Sequence, residues 1–226
     1  MAKKQPTILV HLPSYRDPEL IPTIKSALEN AKYPKRVHFG ICRQYHPEDT
    51  FDNVDEFRKD KRFHIMDVLY TEAQGLPWAR AQINEKLLTN QDYILQLDSH
   101  HRFEKNWDTI LKDYVNLLKC KGFKKPVVSA YVPGYFPETD PENRVQEVWG
   151  LNIMRFLPEG AVFLQPFHKD QWRELKEPFK TSSLEYVVLF FENNIMHYFF
   201  HLALDLQKLY YLFQIFCHHH LQTLHT

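Results

Sequence analysis

The chain has 226 residues, 44% of them hydrophobic and 25% charged, with 28 basic side chains balanced by 28 acidic ones. That length suits one α/β domain with a substantial core and is too short for two large ones. The even charge balance and ordinary hydrophobic content exclude a wholly disordered chain and argue against a polyanion-binding surface, so nucleic acid is not an expected partner.

Cys42, Cys120 and Cys217 are widely spaced and form no Cys-x-x-Cys pair, which reads as reduced thiols rather than a disulfide framework. The start, Met1-Ala2-Lys3-Lys4-Gln5-Pro6, runs straight into the apolar Ile8-Leu9-Val10, too short for a signal-peptide core. No apolar run reaches the roughly 18 residues of a spanning helix. These features lead to the expectation of a cytoplasmic or otherwise intracellular protein with no membrane span.

Ile8 to Leu12 reads as a buried strand, closed by Pro13-Ser14-Tyr15-Arg16-Asp17-Pro18. Leu20, Ile21, Ile24, Ala27 and Leu28 then recur at helical spacing, with Pro22 tolerable in the first turn. Val37 to Cys42 and Phe63 to Leu69 are the next strands, separated by a charged surface stretch. A helix from Trp78 to Leu88 follows the Gly75-Leu76-Pro77 turn, and Tyr93 to Leu97 is a fourth strand that stops at Asp98. Phe103 to Leu118 carries Trp107, Ile110, Leu111, Tyr114, Val115 and Leu118 in an i, i+3, i+4 pattern, and Val127 to Val132 is a fifth strand. Strands alternating with helices imply an open α/β sheet, mostly parallel and flanked by helices, in which ligands bind beyond the carboxyl ends of the strands. Pro133 to Pro178, rich in Pro, Gly and aromatic residues, reads as loops and short antiparallel strands over one end of that sheet.

Three segments carry candidate chemistry. Asp98, Ser99 and His100 follow the fourth strand, and a carboxylate and an imidazole two positions apart project to the same side, where both can reach one cation. Oxygen plus one imidazole suits Mn²⁺, with Mg²⁺ the harder alternative that prefers oxygens alone. The bland alternative is that Asp98 caps the following helix and His100 is an ordinary loop residue. After the first strand, Tyr15 could stack on a base, Ser14 and backbone amides could hold ribose or phosphate, and Arg16 could pair with phosphate; equally, the segment is a tight turn with Asp17 capping the next helix. Gly75 to Arg80 brings a helix start and the Arg80 guanidinium to the same sheet edge, both good partners for a diphosphate. His218-His219-His220, Glu147 and Trp149 are weaker signals.

With these motifs in place, residues 7 to 182 resemble the GT-A-fold glycosyltransferases of the polypeptide N-acetylglucosaminyltransferase type. The resemblance rests on Ser14-Tyr15-Arg16-Asp17, on Gly75-x-x-Trp78-Ala79-Arg80, and on Gln96-Leu97-Asp98-Ser99-His100-His101-Arg102-Phe103. It implies a Rossmann-like GT-A domain over residues 1–182 that uses a UDP-sugar donor. Asp98 and His100 would act as the metal-binding variant of an Asp-x-Asp motif, with Ser99 beside the donor; Pro13, Ser14, Tyr15 and Arg16 would lie near uridine and Arg80 near the diphosphate. It further implies a hydroxyl acceptor on a polypeptide, such as hydroxyproline, hydroxylysine of collagen, or Ser/Thr, and transfer with retention. No acceptor-side catalytic base is identifiable.

Beyond Ser183 the family's Gly-rich strands, Gly-Glu-Glu element and late metal-binding His are not recognisable. From Phe179 to Thr226 there is no Gly or Pro, only five charged residues, and six of the thirteen histidines. Residues 183–226 are therefore expected to be an anomalous segment, as a shift of reading frame near Ser182 or Ser183 would produce. The alternative function is a non-catalytic module that binds a UDP-sugar or glycan. A nucleotidyltransferase would need a Gly-rich phosphate loop after the first strand, and Pro13 to Pro18 contains no glycine.

Overall fold

The computed structural model describes residues 5–130, 132–144, 149–158, 162–168, 177–178 and 188–193. Strand β1 (Ile8–Tyr15) leads through α1 (Leu20–Asn30) to β2 (Val37–Tyr45), then β3 (Phe63–Leu69), α2 (Leu76–Lys86), β4 (Tyr93–Leu97), α3 (Trp107–Cys120) and β5 (Val128–Ala130). A hairpin of β6 (Trp149–Phe156) and β7 (Val162–His168) follows, and then β8 (Val188–Glu192).

The six-stranded sheet has the order β3-β2-β1-β4-β8-β5; β1 to β4 pair in parallel, and β8 runs antiparallel between β4 and β5. The mostly parallel α/β architecture is the one the alternation of strands and helices implies. The order reverses at β1, because the chain moves from β1 outward to β2 and β3 and then returns to place β4 on the other side. Such a reversal opens a crevice between the loops that leave the two strands.

β1 is buried on both faces, as an interior parallel strand requires. Ile8, Val10 and Leu12 pack with Leu20, Ile24 and Ala27 of α1 and with Trp107 and Val115 of α3. Trp107 locks the two helices together by donating its indole N–H to the Ala27 carbonyl at 2.9 Å. The opposite face is covered by α2, whose Ala79 and Ile83 pack with Cys42 and Val68. Gly40 permits that close approach: a Cβ there would lie 2.9 Å from Ile83 Cγ2, a buried branched methyl with little room to yield.

Several boundaries differ from the sequence reading by a few residues, and two of the differences shape the sheet. β1 runs through Pro13 to Tyr15, because it pairs with β2 along all eight residues but with β4 only from Ile8 to His11. Proline is tolerated where one side of the strand lacks a partner. The sheet also continues past residue 182, where the apolar run that looked foreign to the fold supplies the interior strand β8. Phe190 is fully buried, opposite Leu95 and Val128 in register, and its ring stacks on Tyr93 at 5.1 Å. Residues 194–226, with Cys217, His218, His219, His220 and His225, lie outside the described residues, as do Glu147 and the Trp149 side chain.

Phe190 therefore belongs to the core that α3 and β4 share. Phe190→Ala is expected to lower unfolding stability by roughly 3–5 kcal/mol in urea denaturation, the usual cost of a large aromatic cavity. A loss below about 1 kcal/mol would mean that β8 is not part of the folded sheet.

Candidate functional site

The loops leaving β1 and β4 meet at the strand-order reversal. Thr23 in α1 clamps the β4 loop: its hydroxyl accepts from the His101 amide at 2.8 Å and lies 2.8 Å from the Ser99 carbonyl. Backbone on either side of His100 is thereby fixed to the helix that begins just after the β1 loop.

Asp17 joins the two loops directly. Its Oδ2 accepts from the Ser99 hydroxyl at 2.5 Å and lies 2.9 Å from His100 Nδ1, while its Oδ1 accepts from the Glu19 amide at 2.9 Å. Burial pushes the carboxyl's pKa up, but the hydrogen bonds from His100, Ser99 and the Glu19 amide outweigh it and leave Asp17 below the usual carboxylate range. The same contact raises the His100 pKa against burial. Asp17 does not cap α1, whose N-cap is Glu19 with no side-chain cap hydrogen bond; it closes a turn onto the Glu19 amide and holds His100, which the turn reading misses.

Asp98 pairs with Arg80 at 3.0 Å, so the metal-motif carboxylate and the diphosphate-reading arginine stand side by side. Arg80 is largely buried on α2, and its carbonyl lies 3.1 Å from His11 Nε2 at the end of the β1–β4 pairing. Ser14 is buried, with its carbonyl accepting from the Gln44 side chain at 3.2 Å. Arg16, at φ 47°, is held by Asp49 through two hydrogen bonds of 2.7 and 3.1 Å and lies over the Tyr70 ring. Tyr15 is 54% exposed. With Pro13, Gln44, Tyr70, Ala73, Gly75 and Leu76 it lines an open cavity of about 460 Å³ at the carboxyl ends of β1, β2 and β3. Gln44 and Tyr70 were not legible as site residues. The signal that could have found them is their place just inside or after the carboxyl end of a parallel strand.

The donor set at Asp98 and His100 suits a divalent cation only in part. Among the described residues no group of three or more His, Cys, Asp or Glu is arranged to hold a metal ion. A carboxylate and one imidazole fit a cation such as Mn²⁺ that takes its remaining ligands from diphosphate oxygens and water. His100 suits that role, because its Nδ1 is occupied by Asp17 while Nε2 is left as the second ring nitrogen.

Residues 7–64 and 51–197 match the model of the family described as Glycosyltransferase (GlcNAc). The chain belongs to this family. The match extends past β8, so sequence compatible with the family continues to residue 197. A search of curated proteins finds no significant match. Among solved structures, the mannosyltransferase PcManGT from Pyrobaculum calidifontis, in complex with GDP-Man and Mn²⁺, aligns over 87% of this chain and 47% of its own, with 13% identity and a TM-score of 0.50. S. aureus TarS 1-349 in complex with UDP-GlcNAc aligns over 60% of this chain and 37% of its own, with 15% identity and a TM-score of 0.45. The chain thus spans less than half the length of either protein. The likeness to the mannosyltransferase shows the GT-A fold. Among the described residues no helix is long and apolar enough to cross a membrane.

The seat of Arg80 carries a pH dependence. Burial lowers the His11 pKa from 6.5 to about 4. Unfolded chain takes up a proton near pH 6.5 that the fold refuses, so this contribution to stability is complete above that pH and falls as pH drops toward 4. The slope approaches about 1.4 kcal/mol per pH unit. His11→Gln is expected to lose about 2 kcal/mol less than wild type between pH 7 and pH 5 in urea denaturation; equal losses would show that His11 does not titrate in this range.

Proposed function

We propose that this glycosyltransferase moves a hexose or N-acetylhexosamine from a UDP-sugar to a hydroxyl of a polypeptide, such as hydroxyproline, hydroxylysine of a collagen-like sequence, or Ser/Thr. The observation that carries the reading is the convergence of Asp98, His100, Arg80 and the β1 loop at the strand-order reversal. Family membership supports transfer of an N-acetylglucosamine-type sugar, and the polypeptide acceptor and retention of configuration follow from the resemblance in the motifs.

In this reading Asp98 and His100 hold a divalent cation, Mn²⁺ by the softness of the imidazole. When bound, that cation neutralises charge developing on the diphosphate leaving group. Arg80 neutralises Asp98 and supplies guanidinium hydrogen bonds to the same oxygens. Tyr15 gives the base an aromatic face at the cavity mouth, with Tyr70 on the same wall. Residues 1–182 hold these donor-side groups, and β8 is an interior strand of the sheet that supports them.

UDP release across a panel of UDP-sugars, with and without hydroxyproline and collagen-like peptides, tests the proposal. Mn²⁺-dependent release with one donor is expected, and Asp98→Ala should lower it by about 100-fold. Release that survives Asp98→Ala removes the cation site from this position. Tight UDP binding without transfer to any peptide marks a sugar-nucleotide-binding module instead.

Tyr15→Ala is expected to raise the KM for the donor about five- to tenfold, the worth of one stacked ring, while circular dichroism stays that of wild type. An unchanged KM places the base elsewhere.

A further inference from the structure

We propose that Asp17 is the positioning residue of the cation site, holding His100 as its Nδ1–H tautomer so that Nε2 is the nitrogen presented to the metal. The inference rests on His100 being a ligand, as in the proposed function.

The geometry leaves one arrangement of protons. An ionised carboxylate only accepts, so the 2.9 Å contact between Asp17 Oδ2 and His100 Nδ1 places the hydrogen on Nδ1 and the lone pair of the neutral ring on Nε2. The carboxylate cannot turn away, because Oδ1 accepts from the Glu19 amide and Oδ2 also accepts from Ser99. The ring cannot easily be carried off by its backbone, because Thr23 ties the Ser99 carbonyl and the His101 amide on both sides of it. Asp17 is 16% exposed and His100 is 59% exposed, so the anchoring carboxylate lies inside and the ring reaches outward. A partly buried carboxylate behind an exposed imidazole is how metal-binding histidines are oriented and made more basic.

Asp17→Asn separates this role from service to the turn. The asparagine Oδ1 keeps the Glu19 amide hydrogen bond, which fixes the side-chain orientation and turns the NH₂ toward His100. A donor facing Nδ1 makes that nitrogen an acceptor and moves the ring proton to Nε2, which blocks the metal-binding position.

Two measurements on the full chain test the proposal. In ¹⁵N NMR at a pH where the ring is neutral, with the His100 signals assigned from His100→Ala, wild type is expected to show the Nδ1–H tautomer and Asp17→Asn the Nε2–H tautomer. Mn²⁺ affinity in the presence of UDP, read from the EPR signal of free Mn²⁺, should fall about 10- to 100-fold in Asp17→Asn with the thermal midpoint unchanged. Should Asp98→Ala weaken Mn²⁺ binding while Asp17→Asn leaves both affinity and tautomer as in wild type, the positioning role is overturned and the cation site stands. Affinity unchanged in both Asp98→Ala and His100→Ala overturns the cation site and, with it, this role.

Discussion

The site depends on one geometric constraint: β1 and β4 pair only as far as His11 and Gln96, while β1 continues beside β2 to Tyr15. Past that point the two strands no longer share hydrogen bonds, and their loops are free to diverge and enclose a crevice. Candidate donor-side residues come from the walls of this opening, from the end of β1, the start of α2 and the loop after β4. His11 sits at its floor and accounts for part of the position of α2, since the Arg80 carbonyl is bonded to its ring.

Charges in the crevice are arranged in complementary pairs. Asp98 is matched by Arg80 and Arg16 by Asp49, while the Asp17 carboxylate is met by hydrogen bonds from His100 and Ser99. A negatively charged ligand and a cation that arrive together can exchange partners with such pairs without leaving a buried charge uncompensated, the costly outcome at a partly desolvated site. The Asp17 and Thr23 hydrogen bonds fall on the two loops rather than within one, so the β1 loop, the start of α1 and the β4 loop are held as a single unit.

A second set of contacts secures the segment beyond β5. Tyr135 donates to Glu19 at 2.9 Å and lies beneath the Arg102 guanidinium, which also pairs with Glu19. Arg144 pairs with both Asp140 and Glu104. Arg102 and Glu104 belong to the stretch between β4 and α3, and Glu19 precedes α1, so Tyr135 and Arg144 tie the start of the Pro- and aromatic-rich segment to the supports of the site.

Much of this was legible in the sequence because it is written in local patterns. Short, largely apolar runs mark β1, β3 and β4 as strands; helical spacing marks α1 and α3; and Asp98, Ser99 and His100 stand out because polar chemistry begins where an apolar strand stops. Two kinds of feature were not legible. β8 lacks turn residues around it, and its apolar run is explained only by β4 and β5 lying on either side, a pairing of residues 58 to 99 positions apart in the chain. Asp17 looks like a turn residue because its bond to Glu19 is local, whereas its bonds to Ser99 and His100 span 82 and 83 positions. The sequence by itself determined the element types, the alternation that makes a parallel sheet, and which side chains could do chemistry at its edge, since these follow from periodicity and from residue type. Only the tertiary structure decided where β1 and β4 part, which strand lies between β4 and β5, and which carboxylate stands behind the imidazole, because those depend on distances that no local pattern encodes.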